Sequence, residues 1–271
     1  MHPSSHTPLD QTHKAHKTHD ADTIGTVAWL RRSHGRLSLR DTLHLLNIAL
    51  KPAMQGMVSG RWARVLPGAP EDFGPLQARM PDTPAVAHAL DAMRDLGHTD
   101  VLRHGWRCHC WGMAFAANRR AEVDEELLLV ASLMHDLGIA DQAGAQASGC
   151  ACFTGHSADR AMQLARHHGW LEPRTQALGD AITLHMNGQV DEAQGLEAHL
   201  LQQATACDVI GARLAQLPAR YRQQVLQAHP RGDFDAEFSR FMAGQSKQQP
   251  GSRAALMHRV GLGLMIRLNP F

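Results

Sequence analysis

Long apolar runs are missing from this 271-residue chain. A stretch such as Leu127 to Ala131 falls far short of the roughly 20 residues a membrane-crossing helix needs, so no membrane partner is expected. Charge of one sign is missing too. The 27 Lys+Arg stand against 26 Asp+Glu, so no basic stripe points to nucleic acid and no acidic tail to a basic partner. Cysteine is scarce and odd in number; five residues do not suit a disulfide framework. The first 23 residues are polar and lack the apolar segment of a secretory leader. These absences together predict a cytoplasmic protein with reduced thiols.

Histidine is what the chain has in excess, at 19 residues. Five of them precede residue 20, in a stretch (1–22) with almost nothing to bury, read as a disordered His-rich tail outside any active site. From Ser38 the pattern turns helical: Ser38 and Asp41 form an N-cap pair, and Leu39, Leu43, Leu46 and Leu50 recur at helical spacing until Pro52. Residues 66–84 are rich in Pro and Gly and read as a long connection. Residues 23–77 are therefore taken as a helical extension with its linker, and 78–271 as the main body.

That body reads as helix almost throughout. Thr83-Pro84 opens one helix, which stops at Gly97. Others are expected over about 100–118, 124–135, 157–168, 173–185 and 195–214. The fold class is all-α.

The chemistry-bearing residues fall at the ends or on the apolar faces of these helices. His135-Asp136 stands where ELLLVASLM runs out, with Gly138 placed to let the chain turn. Neighbours on a helix diverge by about 100°, so the pair shares one ion only if the helix end frees them. His104, His156, His185 and Asp208 each sit on or at the end of a predicted helix, beside apolar residues that turn that face inward. One inward histidine is most simply a hydrogen-bonded core residue. Several such groups on separate helices point instead to a shared partner, and a metal ion serves all at once. Cys108/Cys110 and Cys150/Cys152 are spaced C-x-C, tighter than zinc knuckles, and diverge on a helix; no structural zinc is expected there. His109 is rotated off the face of His104, His167 and His168 read as helix C-terminal caps, and Trp106 and Trp111 as core or pocket wall. Asp180 reads as a solvent-facing or ion-pairing residue.

The order His104 … His135-Asp136 … Asp208 resembles the H…HD…D signature of the HD-domain superfamily of metal-dependent phosphohydrolases. PDTP at 81–84, HGWR at 104–107, LMHDLG at 133–138, AITLH at 181–185, CDVIG at 207–211 and HPRGDF at 229–234 resemble its cyanamide hydratase-like branch, over about residues 78–250. The resemblance implies an HD-domain helical bundle. It implies that His104, His135, Asp136 and Asp208 hold one divalent transition metal, zinc first and iron or manganese next. It implies water addition to a small electrophile such as a nitrile-type carbon, with His185 and His156 either handling the proton and orienting substrate or holding a second ion; Arg107, three residues after His104, shares its helix face. Where many phosphohydrolases of the superfamily carry a cation after HD-x-G, this chain has Ile139, Ala140 and Asp141, which places a phosphoester substrate second. A non-catalytic helical binding protein comes third. The expected partner is a small molecule, with a homo-oligomer left open.

Overall fold

The structure, a computed structural model, describes residues 23–48, 65–117 and 122–271. Among them it is helical with no strand. Residues 1–22, the expected end of the second helix at Pro52, and Asn118 lie outside the described residues.

The elements run α1 (Val27–Ser33), α2 (39–48), α3 (Gly74–Ala78), α4 (Pro84–Arg94), α5 (Thr99–Ala116), α6 (Glu125–Met134), α7 (Leu137–Ala140), α8 (Gln142–Ala147), α9 (Phe153–His167), α10 (Glu172–Leu184), α11 (Leu196–Ile210), α12 (Ala219–Ala228), α13 (Phe234–Gln248), α14 (Arg253–Arg259) and α15 (Leu262–Arg267). Their ends follow from local chemistry. The Thr83 hydroxyl accepts from Val86 N–H to start α4, and the Asp124 carboxylate accepts from Leu127 N–H to start α6, with Glu125 and Glu126 in its first turn. Pro173 lies in the first turn of α10, where its missing N–H costs nothing. The helix expected to reach residue 214 ends at Ile210 because Gly211 takes φ +70° and closes it. The helix expected from Ser157 begins a turn earlier, at Phe153, and the expected linker contains the short helix α3.

α6 is the axle of the fold. Leu127 to Ala131 are all 0% exposed, so this helix is apolar all round and needs neighbours on every side. α4, α5, α9, α10 and α11 pack around it. Two glycines set the closest approaches. A Cβ on Gly105 would lie 2.7 Å from the Ser132 carbonyl oxygen, so α5 meets α6 backbone to backbone just beside His104. A Cβ on Gly138 would lie 2.2 Å from the Phe153 carbonyl oxygen, and Gly138 N–H donates to Ser157 Oγ at 2.8 Å. Gly138 is therefore required by the contact with α9; it is not among the glycines of positive φ. Gly138→Ala is expected to cost about 1–3 kcal/mol by overpacking against backbone that cannot rotate away. Chemical denaturation checks this; an unchanged midpoint would contradict it.

α1 joins the same packing. Its N-terminal Val27 N–H donates to Asp180 Oδ1 at 2.8 Å, and Trp29 is buried. Asp180 is thus a buried anchor for an orphan helix donor, receiving Gln176 Nε2–H at 3.3 Å on its other oxygen; of the two expected roles, solvent-facing or ion-pairing, burial removes the first. No helix among the described residues is long and apolar enough to cross a membrane.

Candidate metal centre

Four elements bring polar side chains to one buried region. α5 supplies His104, the break after α6 supplies His135 and Asp136, the C-cap of α10 is His185, and α11 carries Asp208. The divergence of neighbouring side chains is solved locally. His135 keeps helical angles, whereas Asp136 sits at φ −102°, ψ 10°, the bridge conformation that ends α6 before α7 begins.

The three imidazoles are oriented alike. His135 Nδ1 lies 2.8 Å from the Ser132 carbonyl oxygen, and His185 Nδ1 lies 2.6 Å from that of Ile182. A carbonyl only accepts, so each Nδ1 carries the proton. His104 Nδ1 lies 2.7 Å from Asp208 Oδ2, and Asp208 is held well below the usual carboxylate range. Burial would raise it, but Arg107 and His104 outweigh that, so here too Nδ1 donates. The Nε2 atoms then turn to a common centre. His104 Nε2 and His135 Nε2 are 3.1 Å apart. From Asp136 Oδ2 they lie at 3.5 and 3.2 Å, and His185 Nε2 lies 3.7 Å from Asp136 Oδ1.

Asp136 is the anomaly. It is buried, and neither of its oxygens accepts a well-aligned hydrogen bond. Burial alone would push its pKa up; His135, His104 and His185 outweigh it and hold the carboxyl below its ordinary range. Burial pushes His185 down to about 3, with His135 adding to it, and lowers His104 despite the Asp208 contact. His135 goes the other way: burial would lower it, yet Asp136 raises it. Of the three rings, His135 is the one whose neighbours favour the protonated form. A buried anion ringed by Nε2 atoms is a donor set for a divalent ion, and His135, Asp136 and His185 have ligand atoms within 4.8 Å of one another. His104 and His135 form a second such group with the Cys108 thiol, whose sulfur lies 3.5 Å from His104 Nε2. The residues present fit a metal ion.

Asp208 has a different place from the one the resemblance implies. It stands behind His104, and its oxygens receive Arg107 Nε–H at 2.9 Å, Arg107 Nη2–H at 2.8 Å and Trp111 Nε1–H at 2.9 Å. In this arrangement it fixes the tautomer and direction of His104, as carboxylates behind metal-binding histidines do. Arg107 is 0% exposed and faces Asp208, with its Nη1–H on the Pro230 carbonyl at 3.1 Å, not an open pocket. His156 is not in the cluster: its Nε2 pairs with Asp141 Oδ2 at 2.9 Å. His185, expected to handle the proton, has a ligand atom within 4.8 Å of those of His135 and Asp136. Trp111 is core with a role, and Trp106 stacks on His229.

Sequence reasoning missed three things here. Cys108 lies i+4 from His104 and so shares its face; that spacing was the available signal. Phe234, which stacks on His104 with centroids 4.4 Å apart, and Arg231, which donates to the Asp208 carbonyl at 2.9 Å, both lie in the HPRGDF segment, which the sequence brings forward without giving either residue a role.

His109, on the same helix, belongs to none of the ligand groups. Both its ring nitrogens are buried without a hydrogen bond, and burial pushes its pKa down to about 3. Between that value and 6.5 the unfolded chain binds a proton there that the folded chain refuses, so folding stability rises with pH across this window. His109→Leu is expected to raise stability by about 1–3 kcal/mol by removing unsatisfied polar atoms. The gain should be larger at pH 5 than at pH 8, read by urea denaturation at both. Compared with known proteins, the chain matches no family model and no curated protein.

Proposed function

We propose that this chain is a metal-dependent hydrolase or hydro-lyase of the HD-domain type, adding water to a small, uncharged electrophile such as a nitrile-type carbon. The observation that carries the reading is the centre itself: three histidines whose Nδ1 protons are tied back, with Nε2 atoms turned on a buried carboxylate that accepts no well-aligned hydrogen bond. His104, His135, Asp136 and His185 would hold the ion, zinc first and iron or manganese next, with Cys108 beside them and Asp208 orienting His104. Such an ion supplies Lewis acidity and lowers the pKa of water from near 16 to about 7.

The chain's own residues do the rest. Burial of the whole group strengthens every electrostatic contact within it. Hydration of a nitrile-type carbon forms one C–O bond, and both protons of the water finish on nitrogen once the amide settles. With His185 engaged at the centre, His156 is the other imidazole the sequence brings forward for that transfer, and it stands outside the donor groups. Its Nε2 is held by Asp141, and it sits on α9, whose Phe153 packs 6.2 Å from the His185 ring.

The neighbouring cations favour a neutral substrate. Arg107 and Arg231 both face Asp208, and Arg253 donates to the Thr183 carbonyl, Asn187 and Thr154. A phosphoryl transition state wants positive charge directed at it, and these guanidinium groups already have acceptors. The test is to load the protein with zinc, iron or manganese and assay small nitriles, cyanamide included, beside a phosphomonoester and a phosphodiester. Metal-dependent hydration supports the reading. Phosphoester cleavage alone moves the chain to the phosphohydrolase class, and a metal-loaded protein inert on both classes leaves a binding protein.

A further inference from the structure

A second group of histidines lies away from the buried centre. His88 is on the outer face of α4, His167 is the last residue of α9, and His168 is its C-cap. His88 Nδ1 and His168 Nε2 are 3.1 Å apart, and the three ring centroids are separated by 5.0 to 5.7 Å. Each ring offers a nitrogen within 4.8 Å of the others. Two of the three residues are exposed and His168 is half-buried.

Helix capping does not account for this arrangement. A single protonated histidine suits the negative end of α9, but His88 comes from another helix, and three imidazolium rings this close would repel. Nor is it an ion-pair cluster. Glu126, the carboxylate whose charge His168 feels, accepts from the Thr83 hydroxyl and pairs with Arg174. What the three rings face is one another.

We propose that His88, His167 and His168 form a second, surface metal site that takes a first-row divalent ion such as zinc and ties the end of α9 to α4. Three neutral imidazoles are a donor set of the kind zinc, copper and nickel prefer, and a dication at the C-terminus of a 15-residue helix sits on the favourable end of its dipole. Such a site leaves coordination positions for water and lies open to exchange, unlike the buried centre. The proposal is independent of the enzymatic reading.

The test uses the full-length chain, stripped with chelator and titrated with zinc by calorimetry. The His-rich tail is present in every sample, so only differences between variants count. His88→Ala and the double variant His88→Ala/His168→Ala change surface positions and leave the buried centre intact. Each is expected to bind one equivalent fewer than wild type, or to bind that equivalent more than about 100-fold more weakly, beyond the loss of an outer-sphere partner. Zinc should also raise the wild-type melting temperature further than that of the double variant. In Asp136→Asn the surface equivalent should persist, which separates failure here from failure of the buried centre. Equal stoichiometry and affinity in wild type and the double variant would overturn the proposal.

Discussion

Asp136→Asn is expected to empty the buried centre while leaving the fold in place. The amide keeps the volume of the carboxylate but removes the charge around which the Nε2 atoms of His104, His135 and His185 gather. Bound metal, measured by elemental analysis after dialysis against a buffered trace of zinc, should fall from about one ion in this centre to a small fraction. The affinity loss should exceed the roughly 10–100-fold that removal of an outer-sphere partner costs. The rival account, a structural His135–Asp136 ion pair that never meets a metal, predicts the opposite pattern. The metal content of wild type would already be low there, and breaking a buried pair would cost about 3–5 kcal/mol in the metal-free protein. Metal content, measured on wild type and variant alike, decides between them, because the metal-free protein loses the His135–Asp136 contact under either account.

The pH profile adds a sign. In the metal-free protein His135 has a raised pKa, so its contribution is complete below 6.5 and is lost as pH rises through the folded value. With metal bound that proton is displaced, and affinity grows with pH because the imidazoles must be neutral. Just above pH 6.5 the melting temperatures of stripped and loaded protein should therefore diverge. Below 6.5 the lowered pKa of His185 makes the melting temperature of the stripped protein fall as acid is added.

How far the sequence carries can be judged from particular elements. The apolar run of α6, its Asp124 cap and the Thr83-Pro84 start of α4 are local signals, and the helices stand where those signals place them. Past Gly211 the signals are uneven: α14 and α15 are short and pack on α13 and on each other, whereas α13 carries Phe234, Phe238, Phe241 and Met242 at helical spacing, a local signal that the sequence does offer. At the centre, sequence brings His104, His135, Asp136, His185 and Asp208 forward as polar groups on inward faces. It cannot say which ring nitrogen points where. That depends on the carbonyls of Ser132 and Ile182 and on an aspartate 104 residues from His104 in the chain, all of them tertiary facts. The same limit hid the partner of Asp180, which is a backbone N–H of α1.

Arg107→Met tests the layer behind the ligands. The guanidinium is wholly buried, makes a two-pronged contact with Asp208 and reaches the carbonyls of His229 and Pro230, which tie the segment before α13 to α5. Removing it strands a buried carboxylate, a change that costs about 3–5 kcal/mol. Arg231 Nη1 remains 3.4 Å from Asp208 Oδ2 and Trp111 still donates, so the lower end, about 3 kcal/mol, is expected. For a chain of this size that lowers the melting temperature by roughly 6–12 °C. Arg107→Lys should recover little, because an ammonium group cannot reproduce the planar fork. The double variant Arg107→Met/Asp208→Asn should regain much of the stability, since no charge is left unpaired. Its metal affinity should nonetheless stay about 10–100-fold below wild type, because His104 has lost the carboxylate that orients it. Stability restored while metal binding stays weak would separate the two jobs of Asp208. If affinity returned along with stability, Asp208 would be a counter-ion for Arg107 and nothing more.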